Sequence, residues 1–165
     1  MFLRLKIMEE LLKLYQQALA LMLRLETIVT PNGEKVYEVA KICLNCPMSP
    51  DYKYGCAEAV NNVVNIAIGK PVGGEASTYR MYESLKNKIR FLKTTKPNRG
   101  DIIISPTGYG NGRISNGHVG IMLDNGVIAS DNTKTGLFDS HLTLSSWENY
   151  YKNKGGFPME FYRVI

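Results

Sequence analysis

The chain has no run of about 20 apolar residues, so no transmembrane helix is expected. Cysteine is scarce, three in 165 residues, which is too few for a disulfide framework. Cys43 and Cys46 form a C-x-x-C, while Cys56, His118 and His141 lie far from it with no second close pair. A structural zinc site takes about four ligands, so no metal is expected, and an incidental thiol pair is the plainer reading. Clustered charge is also lacking. The net charge is +5 with a pI near 9.1, but the basic residues are scattered, the densest group being Lys86, Lys88, Arg90, Lys93 and Lys96. No nucleic-acid motif accompanies them, so no nucleic-acid partner is expected. A mildly basic surface serves solubility or attracts an anionic surface. Glu9, Glu10 and Lys13 interrupt the apolar stretch that a secretory signal requires. No signal peptide is recognised, and the location is left open.

What is present suits one soluble-type domain: 44% hydrophobic and 21% charged residues in a length that can bury one sizeable core. Residues 2–26 read as one amphipathic helix. Leu5, Met8, Leu12, Tyr15, Leu19 and Met22 step by three and four, and Leu11, Ala18, Leu25, Ile7, Leu14 and Leu21 broaden the stripe. That face is too broad for a simple coiled-coil seam. Packing on its own domain, homo-oligomerisation and membrane-surface contact are the roles open to it. Thr30-Pro31-Asn32-Gly33 is turn chemistry. It divides a helical extension, 1–30, from a domain over 34–165.

Within that domain the spacing predicts helices over Glu34–Leu44, Cys56–Ile68 and Thr78–Leu92. Strands follow at Ile102–Ile104, Val119–Leu123 and Val127–Ser130, the last two joined across Asp124-Asn125-Gly126, a hairpin signal. Leu144–Tyr151 reads as a short helix and Met159–Ile165 as a closing strand. Helices followed by an antiparallel sheet make the expected class α+β.

The chemistry concentrates on two residues. Cys56 heads an apolar helix, and His118 opens a strand in a chain with only two histidines. A thiolate is the nucleophilic form of cysteine. Lowering a thiol pKa by about four units takes on the order of 5 kcal/mol. A helix N-terminus contributes at most about 2 kcal/mol. Position alone is insufficient, so an imidazolium from His118 is expected to supply the rest. Downstream, strand alternation puts Ser130 and Asn132 on one face and Asp131 on the other. Charge favours Asp131 as the group that steadies the histidine. Parity favours Asn132, which is the preferred choice of the two.

These strings, Gly55-Cys56-Ala57-Glu58, Arg99-Gly100-Asp101-Ile102-Ile103-Ile104 and Gly117-His118-Val119-Gly120-Ile121-Met122, resemble the papain-like CHAP and NlpC-like cell-wall hydrolases. The resemblance covers about residues 51–165. It implies a papain-like fold, Cys56 attacking an amide of peptidoglycan, His118 as general base and acid, and a third polar residue orienting the ring. The implied activity is that of an endopeptidase or an N-acetylmuramoyl-L-alanine amidase, with peptidoglycan as partner and no cofactor. CHAP domains often carry Glu-x-Asn at the third position, where Ser130 replaces the Glu and Asn132 remains. They also often have Gln before the cysteine, where Gly55 stands. The oxyanion hole is expected from the Cys56 backbone N–H with Tyr52 or Tyr54.

Other features complete the reading. The Gly108-Tyr109-Gly110-Asn111-Gly112 loop lacks the Lys-Ser/Thr of a phosphate loop. Tyr109 is a candidate substrate contact on a lip of the site. Trp147 and Tyr151 are a helical turn apart; such a pair more often packs against the closing strand, and stacking on a sugar ring makes Trp147 a second candidate contact. A catalytically inactive binding or assembly module on this fold is an alternative function. A thiol acyltransferase or deamidase is another.

Overall fold

A computed structural model describes the chain except residues 1, 26, 27 and 51–54, and the side chains of 2–5, 22, 23 and 25. Among the described residues, five α-helices, α1 (Phe2–Leu25), α2 (Pro31–Ile42), α3 (Cys56–Ile68), α4 (Thr78–Asn87) and α5 (Leu144–Trp147), accompany six strands. The strands are β1 (Phe91–Thr94), β2 (Ile102–Ser105), β3 (His118–Met122), β4 (Val127–Asn132), β5 (Leu137–Thr143) and β6 (Glu160–Val164). They form one antiparallel sheet in the order β1-β6-β2-β3-β4-β5. The fold is α+β and papain-like, with helices ahead of a small antiparallel sheet.

Local chemistry explains the helix limits. At α2, Thr30 accepts the Gly33 N–H at 2.9 Å and Pro31 takes the first helical position, where a missing N–H costs nothing. α3 ends where Gly69 turns left-handed at φ 73°, a conformation that glycine adopts freely. At α4, Ser77 caps the Arg80 N–H.

The sheet is covered on both faces, which is why β2 reads as an unbroken apolar run. Ile102 and Ile104 join Val119, Ile121 and Ala129 against α2, α3 and α4, through residues such as Val36, Ala57, Val60 and Met81. Ile103, facing the other way, packs with Met122, Ile128, Trp147 and Phe161 under α5. Asp101 and Arg163 cross-link the sheet beneath these cores. Arg163 donates to both carboxylate oxygens, at 3.2 and 2.8 Å, and both residues are essentially fully buried. Beside them Gly100 has φ 81°, and a Cβ there would lie 1.9 Å from the Gly33 carbonyl oxygen.

Several elements differ from expectation. The helix expected to reach Leu92 stops at Asn87, and Phe91–Thr94 forms β1 against β6. Sheet pairing overrides helix propensity there. β5 was not anticipated: it is a sheet edge with Phe138 as its one buried residue, so it has little apolar alternation to read. The short helix after Thr143 changes at Glu148 into a π-helix running to Lys154. α1 is continuous, and its described side chains over 6–21 are all exposed. The part of its apolar stripe that lies within 6–21 therefore contributes nothing to the core.

Candidate active site

Cys56 is the first residue of α3, and His118 is the first of β3. α3 packs on β3 and β4, which brings its N-terminus to the edge where β3 begins. Thiol and imidazole line one open cleft of about 1100 Å³, together with Asp131, Tyr150 and Tyr151. Each is nearly buried, Cys56 at 8% exposure and His118 at 7%.

A hydrogen-bonded chain fixes the entry to His118. Gly117 N–H donates to Thr107 Oγ1 at 2.9 Å, and the Thr107 and Thr78 hydroxyls are 2.8 Å apart. Thr107 N–H also donates to Thr78 Oγ1 at 3.1 Å, so the loop before β3 is tied to the start of α4. Gly117 passes so close to β2 that a Cβ would meet the Ser105 carbonyl oxygen at 2.0 Å. Under the ring, Tyr151 stacks with planes 8° apart and centroids 5.5 Å apart, and Trp147 lies at 5.3 Å.

The imidazole partner is Ser130. His118 Nε2 and Ser130 Oγ are 3.0 Å apart, and Ser130 is fully buried. Asn132, on the same strand face, turns elsewhere: it donates to Asp139 Oδ2 at 2.9 Å and accepts from Lys134 N–H at 3.0 Å. It builds the β4–β5 turn and makes no hydrogen bond to the ring. Asp131 lines the cleft, and its charge acts on Cys56.

Burial governs both titrations. It pushes the Cys56 thiol up to about 11, with the Asp131 charge adding to the rise. The backbone amides of Val119, Ala57 and Cys56 itself oppose it by favouring the thiolate. Burial likewise takes His118 down to about 3, assisted by nearby His141. Burial thus favours the neutral thiol and the neutral imidazole over the thiolate–imidazolium pair expected from sequence. Desolvation outweighs the helix terminus.

The remaining candidates scatter. Trp147 is fully buried, with Nε1 donating to Ser105 Oγ at 3.0 Å. It has no face left for a sugar, which corrects its expected stacking role. Tyr109 packs on Tyr79 and edge-on to Tyr82, with centroid separations of 6.0 and 5.2 Å, and is not among the residues lining the cleft. Tyr150 and Tyr151, carried by the π-helix, line it instead. Tyr52 and Tyr54 lie outside the described residues. His141 reaches the cleft wall and pairs with Asp139. The C-x-x-C thiols are free, Cys43 buried and Cys46 exposed.

Comparison with known proteins agrees with this architecture. A family model described as bacteriophage peptidoglycan hydrolase matches residues 36–165. Among solved structures, a chain of the type VI native effector–immunity complex Tae3–Tai3 from Ralstonia pickettii is similar, with a TM-score of 0.54 and 20% identity. The similarity covers 81% of this chain and 98% of that one. No curated protein matches.

Proposed function

The chain belongs to the bacteriophage peptidoglycan hydrolase family, and within it we propose a cysteine amidase that cuts amide bonds of the stem peptide. The CHAP and NlpC-like character of its motifs supports this finer reading. The observation that carries it is the shared cleft of Cys56 and His118, with the far ring nitrogen committed to Ser130.

We place the imidazole proton on Nε2, directed at Ser130 Oγ, which leaves Nδ1 as the base. As Sγ attacks the scissile carbonyl carbon, Nδ1 takes the thiol proton and the carbonyl electrons pass to oxygen. The same amides that favour a thiolate at Cys56 stabilise charge developing in the transition state. Collapse breaks the C–N bond, and the Nδ1 proton leaves with the amine. Water, deprotonated at the same nitrogen, then hydrolyses the thioester. Burial keeps both groups neutral until substrate arrives, so proton transfer accompanies attack.

Digestion of purified peptidoglycan, followed by mass spectrometry of the released muropeptides, tests the reading. New amino groups should appear, and their position separates endopeptidase from N-acetylmuramoyl-L-alanine amidase. His118→Ala should lower release by at least about a hundredfold, and His141→Ala should do little. Cleavage confined to glycosidic bonds would contradict an amidase.

A further inference from the structure

Two loops bring a cation each to the cleft that holds Cys56 and His118. Arg113 belongs to the segment between β2 and β3, and Lys134 to the β4–β5 turn. Both are exposed. Neither has an ion-pair partner among the described residues. Elsewhere many basic residues are committed: Lys41 to Glu38, Lys86 to Glu83, Lys93 to Glu160, Arg99 to Glu34, and Lys152 to Glu148. His141, also on the wall, is held by Asp139.

Among the described lining residues the one carboxylate is Asp131, which is 1% exposed, whereas both cations are exposed. Among the described residues, the cleft wall therefore carries more exposed positive than exposed negative charge. Both cations stand on anchored backbone. Arg113 N–H donates to Asn111 Oδ1 at 3.0 Å, and Asn111 is tied to the Gly155 carbonyl by its own N–H at 2.8 Å. Lys134 N–H donates to Asn132 Oδ1 at 3.0 Å. A planar guanidinium fork and a point-charge ammonium on the wall of one cleft suit a carboxylate.

We propose that Arg113 and Lys134 form a subsite for a free carboxylate of the stem peptide, so that the enzyme selects acidic stems over amidated ones. The inference rests on the peptide-amide reading above, which makes the anion a carboxylate. The two cations act on substrate affinity more than on the chemical step, because they are exposed on the cleft wall whereas the thiol is buried.

The test compares kcat/KM for soluble muropeptides whose stem carboxylates are free with the same muropeptides amidated at those groups. The wild-type enzyme should prefer the free acid by about tenfold or more, as charged hydrogen bonds require, and the preference should shrink with added salt. Arg113→Gln and Lys134→Gln should each narrow it, mainly through KM, and the double variant should remove it, with thermal unfolding unchanged. Arg113→Glu should reverse it. Equal cleavage of both muropeptides by the wild type, or an undiminished preference in the double variant, overturns the subsite alone. Failure to cleave either muropeptide overturns the peptide-amide reading and the subsite with it.

Discussion

His118 Nε2 lies 3.0 Å from Ser130 Oγ, with both groups buried between β4 and the aromatic pair Trp147 and Tyr151. A hydroxyl fixes the ring's direction without adding charge. That agrees with an imidazole held well below its ordinary pKa, since a carboxylate in the same place would raise it.

Ser130 is a positioning residue, and its loss should act on the chemical step. Ser130→Ala is expected to lower kcat by about 10- to 100-fold with KM little changed, leaving a buried ring nitrogen without its partner. Ser130→Thr should recover part of the loss. Steady-state kinetics on soluble muropeptides measure the split, and an unchanged kcat would remove Ser130 from the mechanism.

The neutral resting pair has a chemical signature. With its thiol pushed up to about 11, Cys56 should react with iodoacetamide more slowly at pH 6 than exposed Cys46. Its rate should climb as pH rises toward about 11. Peptide mapping after timed alkylation reads this directly. Preferential labelling of Cys56 at pH 6 would instead indicate a preformed thiolate.

Acid stability carries the matching signature of His118. Its folded pKa is about 3, below the ordinary unfolded value of about 6.5. Between those values the unfolded state binds the proton and the native state does not, so stability falls as pH drops. The loss attributable to this residue is on the order of 4 kcal/mol across the window. Denaturant melts from pH 7 to 3.5 should show a shallower decline in His118→Gln than in the wild type. Parallel declines would contradict a buried neutral imidazole.

The Asp101–Arg163 pair gives the largest expected effect on folding. Asp101→Ala leaves the guanidinium buried without its carboxylate, which costs about 3–5 kcal/mol, a large part of a typical domain's stability. Removing the half-exposed Arg99–Glu34 pair should shift the melting temperature far less. Similar shifts for the two would mean that Asp101 is not a structural clamp.

Much of this arrangement is legible in the chain because punctuation and burial are local. Gly69 and Pro71 stop α3 where apolar spacing ends, and the isoleucine run of β2 reads as a doubly covered strand. β1 and β5 were hidden because each draws its strand character from a partner, Val164 and Arg163 for one and the turn at Asn132 for the other. Alternation correctly put Ser130 and Asn132 on one face, but chemistry favoured the amide. The decisive factor was the turn: an Asn followed by Thr-Lys-Thr-Gly folds back on its own backbone, which takes Asn132 away from the ring. The helical pattern over Leu144–Tyr151 does not distinguish an α-helix from the π-helix that carries Tyr150 and Tyr151. Trp147, an aromatic at helical spacing, serves the core, the commoner of the two outcomes open to it in the sequence.

The central claim, that Cys56 forms an acyl-enzyme, is tested most directly by acid-quenched mass spectrometry of the protein mixed with a soluble muropeptide. The account predicts an added mass equal to the acyl fragment on the peptide containing Cys56, which disappears with time, and Cys56→Ala should show neither adduct nor released amine. Normal amine release by Cys56→Ala, with no adduct on the wild type, would contradict it.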